Sequence, residues 1–362
     1  MERAKKRKNS GFKNLLTKYD MWQLEIDNKA ERAAHLYSML LHQYIRKGAK
    51  EKISDLIGEF TKVTSVKLYD SENKFIANLS SSKIIGYLNL LNKRYDALTI
   101  VHPRKFQRDI QKFEAIIGRR FINLKMKMPG SANYTPSLAH RIIKAMNYND
   151  VREKVYPRIA RFLELKTCVY CNANFTISAS DGNGYYELDH WKPKTLYPYL
   201  STSFYNLQPC CSSCNRRKSN DDRGYFHLWD DTHRKHRDVI GVNLTRKSII
   251  LFKLFHHVED LVPVFYSTKR KYVPMRNVMQ ERLHIEERYK EHMDIAEEVI
   301  WRSMAYNPSM MQSLRASISK VVPSNADINR FIIGTYSKRE DIHKRPLTLL
   351  RQNIARQLGL LK

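Results

Sequence analysis

The sequence is poor in cysteine and has no long apolar run. Only 5 of its 362 residues are cysteine, which argues against a small secreted fold held together by disulfides. The longest apolar run, residues 249–255, is interrupted by Lys253 and is much shorter than the about 20 residues that cross a bilayer. Internal repeats and low-complexity linkers are also absent. We therefore expect a globular protein of the reducing cytoplasm that does not enter a membrane.

Acidic residues are scarce relative to basic ones. The chain has 64 Lys and Arg against 36 Asp and Glu, which gives a formal net charge of +28. This excess is spread along the chain and is not confined to one tail, so it indicates a polyanionic partner, with nucleic acid as the first candidate. A solvated basic surface without a specific ligand is the alternative.

Apolar residues recur at helical spacing in the first and last parts of the chain. The pattern predicts a hairpin over residues 64–79 and a first helix that ends at Gly48. Further helices are predicted at residues 50–60, 80–91, 103–117, 137–146, 151–165, 283–300, 326–333 and 346–358. Ser324 is the predicted cap of the 326–333 helix, and Gly334 is its predicted end. We expect an α-rich α+β protein in three parts: a mostly helical N-terminal domain with a basic tail (1–160), a central domain (161–230) and a helical C-terminal domain (231–362).

The central part has the pattern of extended chain. Two strands are predicted at residues 174–178 and 185–188, joined by a D-G-N-G turn that tolerates positive φ. This hairpin would carry Asp189 and His190 at its exit. A helix is predicted to begin near Cys214, after a loop that contains three prolines.

Four of the five cysteines form two Cys-x-x-Cys pairs: Cys168, Cys171, Cys211 and Cys214. Each pair lets one tight turn aim two sulfurs at a single ion, so the four thiolates predict a closed tetrahedral zinc site. Such a site supplies about 10–16 kcal/mol of apparent binding energy that is also folding energy. Two pairs of buried free thiols are the alternative. We expect Cys210 to be a packed thiol and not a fifth ligand.

The motifs C-V-Y-C, D-H, N-L and C-S-S-C-N-R-R-K follow one another within residues 168–218. This order resembles the HNH endonucleases, the ββα-metal nucleases, in their cysteine-bracketed form. The resemblance implies a zinc-bound ββα-metal domain in which His190 is the general base and Asn206 orients it. It also implies that Asp189 and Asn215 bind a catalytic divalent metal; histidine stands at the latter position in many family members.

Elementary chemistry supports these roles. Phosphodiester hydrolysis needs a deprotonated water, and neutral imidazole, with an ordinary pKa near about 6.5, suits this task. It also needs a group that stabilises the negative charge growing on the leaving oxygen, and a divalent ion held by one carboxylate and one amide oxygen suits this task. Two protein oxygens leave room for water and phosphate, as Mg²⁺ requires, and Mn²⁺ is a possible substitute.

Five basic residues surround these positions: Lys192, Lys194, Arg216, Arg217 and Lys218. We expect them to contact phosphates that flank the cut. A generic solvated basic face is the alternative.

Two longer stretches extend the resemblance. Residues 197–218 and the run D-I-H-K-R-P-L-T-L-L-R-Q-N-I-A-R-Q-L-G-L at 341–360 are similar to HNH proteins of bacterial antiphage defence, including the nuclease subunit of Septu-type systems. Such nucleases accompany an ABC or SMC-like ATPase, so the resemblance implies a partner of this kind. The large N-terminal helical part distinguishes the chain from the short Septu subunits.

We therefore expect a metal-dependent DNA endonuclease that acts in antiphage defence. A single site cuts one strand, so double-strand cleavage would need two events or two protomers, as in a homo-oligomer. Two alternatives remain open. One is a non-catalytic zinc module that recruits nucleic acid or an ATPase; the other is an RNase with a similar active site.

Overall fold

Helices packed around a small sheet form the N-terminal part. The computed structural model describes residues 24–25, 28–222, 227–230, 240–267, 282–318 and 324–361, and the basic N-terminal tail lies outside these ranges. The elements of this part are β1 (Leu24–Glu25), α1 (Asn28–Tyr44), α2 (Arg46–Phe60), β2 (Ser65–Tyr69), β3 (Phe75–Ser80), α3 (Ser81–Thr99), α4 (Phe106–Glu114), α5 (Arg119–Ile122), β4 (Lys125–Lys127), α6 (Leu138–Ala145), α7 (Tyr148–Asp150) and α8 (Tyr156–Phe162). A π-helical turn, Val151–Val155, joins α7 to α8.

The predicted hairpin over residues 64–79 is confirmed. β2 pairs antiparallel with β3 on one side and with β4 on the other. Asn73, in the connecting turn, has a φ of 65°, which asparagine tolerates better than most residues. The sheets are small and helices dominate, so the expected α-rich α+β class is confirmed.

The expected end of the first helix at Gly48 is wrong. α1 ends at Tyr44, and Gly48 lies inside α2. The chain stays helical through the junction because the Ile45 N–H donates to the Leu41 carbonyl (2.9 Å) and the Ile45 carbonyl accepts from Ala49 (3.0 Å). Glycine ends a helix where φ turns positive, and this glycine does not adopt such a conformation.

Two separate strand pairs form the central part. Its elements are β5 (Ile177–Ser178), β6 (Gly184–Tyr185), β7 (Glu187–His190), β8 (Leu207–Cys210), α9 (Ser212–Lys218) and β9 (Trp229–Asp230). β5 pairs with β6, whereas β7 pairs antiparallel with β8. The predicted hairpin through the D-G-N-G turn is confirmed by the antiparallel β5–β6 pair, but the position of Asp189 and His190 at its exit is wrong, because they lie inside the separate strand β7. The second run divides after Tyr185, and its later half carries Asp189 and His190 inside a strand.

The sequence predicted a loop followed by a helix that begins near Cys214. The structure instead has strand β8 in the last part of that loop, and α9 begins earlier than expected. Pro209 lacks an N–H group, and prolines normally weaken a strand prediction. Its carbonyl nevertheless accepts a hydrogen bond from Val169 (3.2 Å). α9 begins at Ser212, directly after Cys211, which stands at the N-cap position. The second cysteine pair thus lies on the first turn of the helix.

The C-terminal part packs helices around a two-stranded sheet. Its elements are β10 (Ile240–Leu244), α10 (Arg246–Phe255), β11 (Pro263–Ser267), α11 (Ile285–Lys290), α12 (Met293–Ala305), α13 (Pro308–Ile318), α14 (Asn325–Ile333) and α15 (Thr348–Gln357). The apolar stripe predicted as one helix over 283–300 is divided between α11 and α12 by a turn at residues 291–292. α14 begins after a Ser324 cap and ends at Gly334, as predicted.

Residues 342–349 of the C-terminal part hold the loop that contains the first cysteine pair. Asn172 lies at the end of this loop with a φ of 50°. Its side-chain amide donates to the Ile342 carbonyl (3.0 Å) and to Thr167 Oγ1 (3.0 Å), and its Oδ1 accepts from the Leu349 N–H (3.0 Å). The Leu347 N–H donates to the Asn172 carbonyl at 2.6 Å. This last bond holds Leu347 at a φ of 57°, so α15 begins at Thr348 and not at Pro346.

The N-terminal helices pack directly against the central part. Phe113 of α4 stacks on Tyr199 with ring centroids 3.9 Å apart, and the Tyr37 hydroxyl of α1 donates to the Thr202 carbonyl at 2.7 Å. Buried apolar side chains from all three parts form one continuous core. The proposed boundaries at residues 160 and 230 therefore remain a prediction. Within the described ranges, no helix has the length and hydropathy of a membrane span.

The replacement Asn172→Gly tests the contact between the C-terminal part and the first cysteine loop. Glycine accepts the positive φ, so the variant removes mainly the side-chain hydrogen bonds. We expect the free energy of unfolding to fall by about 2–4 kcal/mol, because buried polar groups lose their partners. The shift of the urea denaturation midpoint measures this loss. Asn183→Gly, in an exposed turn, is the control, and an equal effect of both replacements would contradict the assignment.

Candidate active site beside a four-cysteine cluster

The two cysteine pairs come together into one cluster. The Sγ atoms of Cys168, Cys171, Cys211 and Cys214 all lie within 4.8 Å of one another, and Cys211 alone is partly exposed. A zinc ion with sulfur ligands at about 2.3 Å separates its sulfurs by about 3.8 Å. The spacing and the all-thiolate donor set therefore fit a metal site of the structural zinc type. In the described part of the chain, Cys210 is outside this cluster.

Helix α11 contacts both halves of the cluster. The Arg288 guanidinium donates to Cys214 Sγ (3.3 Å), approaches Cys211 Sγ (3.9 Å) and donates to Ser213 Oγ (2.6 Å). The Tyr289 hydroxyl donates to the Cys171 carbonyl at 2.9 Å. Four thiolates around Zn²⁺ carry a net negative charge, so a guanidinium in this position stabilises the centre. No sequence pattern indicates these contacts, because they join residues 74 to 118 positions apart.

The variant Cys171→Ser tests the metal assignment. Loss of one thiolate opens the coordination shell, so we expect the purified protein to lose bound zinc and to melt at a lower temperature. Elemental analysis of the protein and a thermal melt measure both effects. Cys210→Ser changes a buried thiol outside the cluster and should keep its zinc. Retention of zinc by Cys171→Ser would contradict the site.

Strand β7 places Asp189 and His190 side by side in the interior. Asp189 lies opposite Gln208 and His190 opposite Leu207 in the β7–β8 pair. Their exposed fractions are only 4% and 5%. The predicted catalytic pair is thus held on a paired strand, which fixes the backbone of both residues more firmly than a loop exit would.

The Asp189 carboxylate has buried side-chain partners in Tyr170 and Lys218, and the backbone N–H of His190 also hydrogen-bonds to it. Its Oδ2 accepts a hydrogen bond from the Tyr170 hydroxyl, and its Oδ1 pairs with Lys218 Nζ at 3.2 Å. The same ammonium group donates to the His190 carbonyl at 2.7 Å. Burial raises the pKa of Asp189, while the Lys218 charge and the Tyr170 hydrogen bond act in the opposite direction.

This position of Lys218 differs from the expected one. Its side chain is 1% exposed, so its ammonium group lies beneath the site and not on a surface that flanking phosphates can reach. The physical reason is charge compensation, because a buried carboxylate without a partner is strongly unfavourable. Lys218 is therefore an internal partner of Asp189.

The hydrogen bond of His190 defines which ring nitrogen carries the proton. Nε2 lies 2.9 Å from the Ser201 carbonyl, and a carbonyl oxygen can only accept. Nε2 is therefore the protonated nitrogen, and in the neutral ring Nδ1 keeps the lone pair. Burial lowers the pKa of His190 well below its usual range, and the nearby Lys194 charge acts in the same direction. The imidazole is therefore neutral at neutral pH.

Asn206 is buried next to the same loop, but its side chain bonds to the backbone. Its Oδ1 accepts from the Lys192 N–H (2.7 Å), and its amide donates to the carbonyls of Lys192 (3.0 Å) and Leu200 (3.1 Å). Leu200 directly precedes Ser201, whose carbonyl holds the His190 ring. This arrangement connects Asn206 to the base through the loop and not through a direct contact.

The remaining predicted residues have different degrees of exposure. Asn215 is partly exposed on α9, and Arg216 and Arg217 are exposed beside it. Lys192 lies 4.8 Å from the Trp191 ring centroid, and Lys194 lies 4.0 Å from the Tyr148 ring centroid. Two of the five predicted basic residues thus lie free of the core, two pack on aromatic rings, and one is buried.

The replacement Lys218→Met tests the internal ion pair. It keeps the aliphatic volume and removes the charge, so the Asp189 carboxylate is left buried with a missing partner. We expect a loss of about 3–5 kcal/mol in the free energy of unfolding, measured by urea denaturation. Arg217→Met on the exposed face of the same helix should have a far smaller effect. Similar losses for both variants would show that the ion pair does not stabilise the fold.

Comparison with known proteins agrees with this geometry. Residues 168–221 match the family model described as HNH endonuclease. The Septu protein PtuB of Bacillus thuringiensis is 36% identical over 78 residues, which are 21% of this chain and 28% of that protein. The chain therefore aligns with less than a third of this relative's length. No solved structure matches the chain. Residues 168–221 thus form an HNH domain, and the chain is related over part of its length to a Septu protein.

Proposed function

We propose that this protein is a metal-dependent HNH endonuclease that hydrolyses DNA phosphodiester bonds in bacterial antiphage defence. One observation carries the proposal: Asp189 and His190 are held on a paired strand beside the four-cysteine cluster, within the residues that match the HNH family. The cytoplasm is the proposed compartment, because thiolate ligands persist in a reducing environment.

His190 acts as the general base in this proposal. The Ser201 carbonyl holds the Nε2 proton, so the Nδ1 lone pair accepts the proton of the attacking water. The lowered pKa of His190 keeps the ring neutral before the reaction.

Asp189 and Asn215 are the proposed ligands of a catalytic Mg²⁺ or Mn²⁺. Tyr170, Lys218 and the His190 N–H contact the Asp189 carboxylate, whose two oxygens offer about four acceptor positions, so one acceptor position remains for an ion. Carboxylate and amide oxygens are the donors that these ions prefer. When bound, such an ion stabilises the charge that develops on the scissile phosphate.

The basic surface supports nucleic acid as the substrate. Arg216 and Arg217 are exposed on α9 beside Asn215, where they can contact backbone phosphates without regard to sequence. The net charge of +28 increases the rate of association with DNA at low salt. These features select a polyanion and specify no base sequence.

An ABC or SMC-like ATPase is the proposed partner, and the relation to a Septu protein over 78 residues supports this assignment. Purification of the protein from its host, followed by mass spectrometry of the retained chains, tests it. Recovery of the protein without an ATPase would contradict the partner and leave the nuclease proposal unaffected.

A non-catalytic zinc module that binds nucleic acid or an ATPase is the second candidate. The exposed fractions of 4% for Asp189 and 5% for His190 favour it, because a catalytic base must reach water. An RNase with the same site is a variant of the first proposal. Plasmid, single-stranded DNA and tRNA, each incubated with and without Mg²⁺ or Mn²⁺, separate these functions. The same samples are repeated with the partner ATPase added. Absence of cleavage in every sample would support the non-catalytic zinc module.

The variant His190→Ala tests the assignment of the base. Loss of the proton acceptor should reduce plasmid nicking in Mg²⁺ by at least about 100-fold. DNA binding, measured by a mobility shift, should be unchanged because the exposed arginines remain.

The control variant is His140→Ala, which removes an exposed histidine of α6 and should keep full activity. Undiminished nicking by His190→Ala would exclude His190 as the base.

A further inference from the structure

Tyr170 lies inside the first Cys-x-x-Cys pair and touches the predicted active site. Its side chain is fully buried, and its hydroxyl donates to Asp189 Oδ2. The cysteines on either side of this loop contribute their sulfurs to the cluster. Here the intervening side chain joins the cysteine cluster to the proposed ligand of the catalytic metal.

A chain of buried hydrogen bonds fixes the direction of this contact. The Leu228 N–H donates to Gln208 Oε1 at 3.0 Å, and a backbone N–H can only donate. The oxygen of the Gln208 amide must therefore face Leu228, and its nitrogen faces Tyr170, whose hydroxyl lies 2.5 Å away. That nitrogen can only donate, so the Tyr170 oxygen accepts from it.

The hydroxyl proton of Tyr170 is then directed to Asp189. A phenol has one proton, and its oxygen already accepts from Gln208. The Lys218 ammonium at 3.2 Å from Oδ1 favours the carboxylate form of Asp189 as the acceptor. The hydrogen bonds therefore all run in one direction, from Leu228 through Gln208 and Tyr170 to Asp189. The backbone N–H of Leu228, at the start of this relay, fixes that direction.

We infer that Tyr170 is a positioning residue that orients the Asp189 carboxylate for the divalent metal, and that Gln208 directs the hydroxyl proton of Tyr170 toward Asp189. The inference rests on the proposed function and goes beyond it, because it assigns a second role to the cysteine loop. That loop holds the cluster through its sulfurs and the catalytic carboxylate through Tyr170. Hydrogen bonds to a ligating carboxylate commonly change metal affinity by about 10–100-fold.

The first test compares Tyr170→Phe with Tyr156→Phe. The Tyr156 hydroxyl is equally buried and donates to the Leu207 carbonyl on β8 (3.3 Å), so its removal costs a similar hydrogen bond without touching Asp189. Binding of Mn²⁺ to the zinc-loaded proteins is measured by the electron paramagnetic resonance signal of free Mn²⁺. We expect Tyr170→Phe to weaken Mn²⁺ binding by about 10-fold or more, while Tyr156→Phe and the wild type agree.

The second test reverses the relay without removing the tyrosine. In Gln208→Glu, a carboxylate still accepts from the Leu228 N–H but cannot donate to Tyr170, so it competes with Asp189 for the hydroxyl proton. We expect this variant to weaken Mn²⁺ binding and to raise the metal concentration for half-maximal nicking. Both variants should retain zinc in elemental analysis, because the four thiolates are unchanged.

The possible outcomes separate this inference from the proposed function. Wild-type nicking with equal Mn²⁺ affinity in Tyr170→Phe and Tyr156→Phe would overturn the inference and leave the nuclease intact. Loss of zinc from Tyr170→Phe would also overturn it, since the residue would then serve the cluster alone. Wild-type protein that neither binds Mn²⁺ nor nicks DNA would reject the proposed function and the inference with it.

Discussion

The convergence of four thiolates on one point is the constraint on which the site depends. It joins the loop at residues 168–171 to the start of α9, so that β7, β8 and the helix enclose one small volume. This central block has two strand pairs of two to four residues each, which is too little sheet for independent stability. A zinc ion held by the four thiolates would contribute about 10–16 kcal/mol, which is the stability that such a block lacks. The Arg288 guanidinium of α11 places a positive charge next to the sulfurs of the cluster.

The flanking helices contribute hydrogen bonds to the same block. Tyrosine hydroxyls from the N-terminal part donate to the carbonyls of Leu188 (3.0 Å) and Thr202 (2.7 Å). The first of these carbonyls belongs to β7, which carries Asp189 and His190, and the second lies next to Ser201. The helical parts thus hold the backbone of the candidate site in place.

Local spacing made the cysteine cluster and the Asp-His pair predictable, because a two-residue spacing and a dipeptide require no knowledge of the fold. The hairpin at 64–79 and the cap at Ser324 were predictable for the same reason. β8 was missed because Pro209 weakens the strand pattern and its partner strand lies about 20 positions earlier. The burial of Lys218 and the contact of Arg288 depend on packing between distant segments. Sequence periodicity contains no information on such pairings.

The hydrogen bonds of Asn172 to residues 342–349 also limit when the first cysteine loop can complete its fold during synthesis. The partners Ile342 and Leu349 follow Asn172 by 170 and 177 positions. A ribosome adds about 5–20 residues per second, so the first cysteine loop waits roughly 10–30 seconds for the segment that completes its hydrogen bonds. A nascent chain therefore cannot assemble the finished centre while its central part is emerging. Synthesis itself thus delays completion of this centre until residues 342–349 have been made.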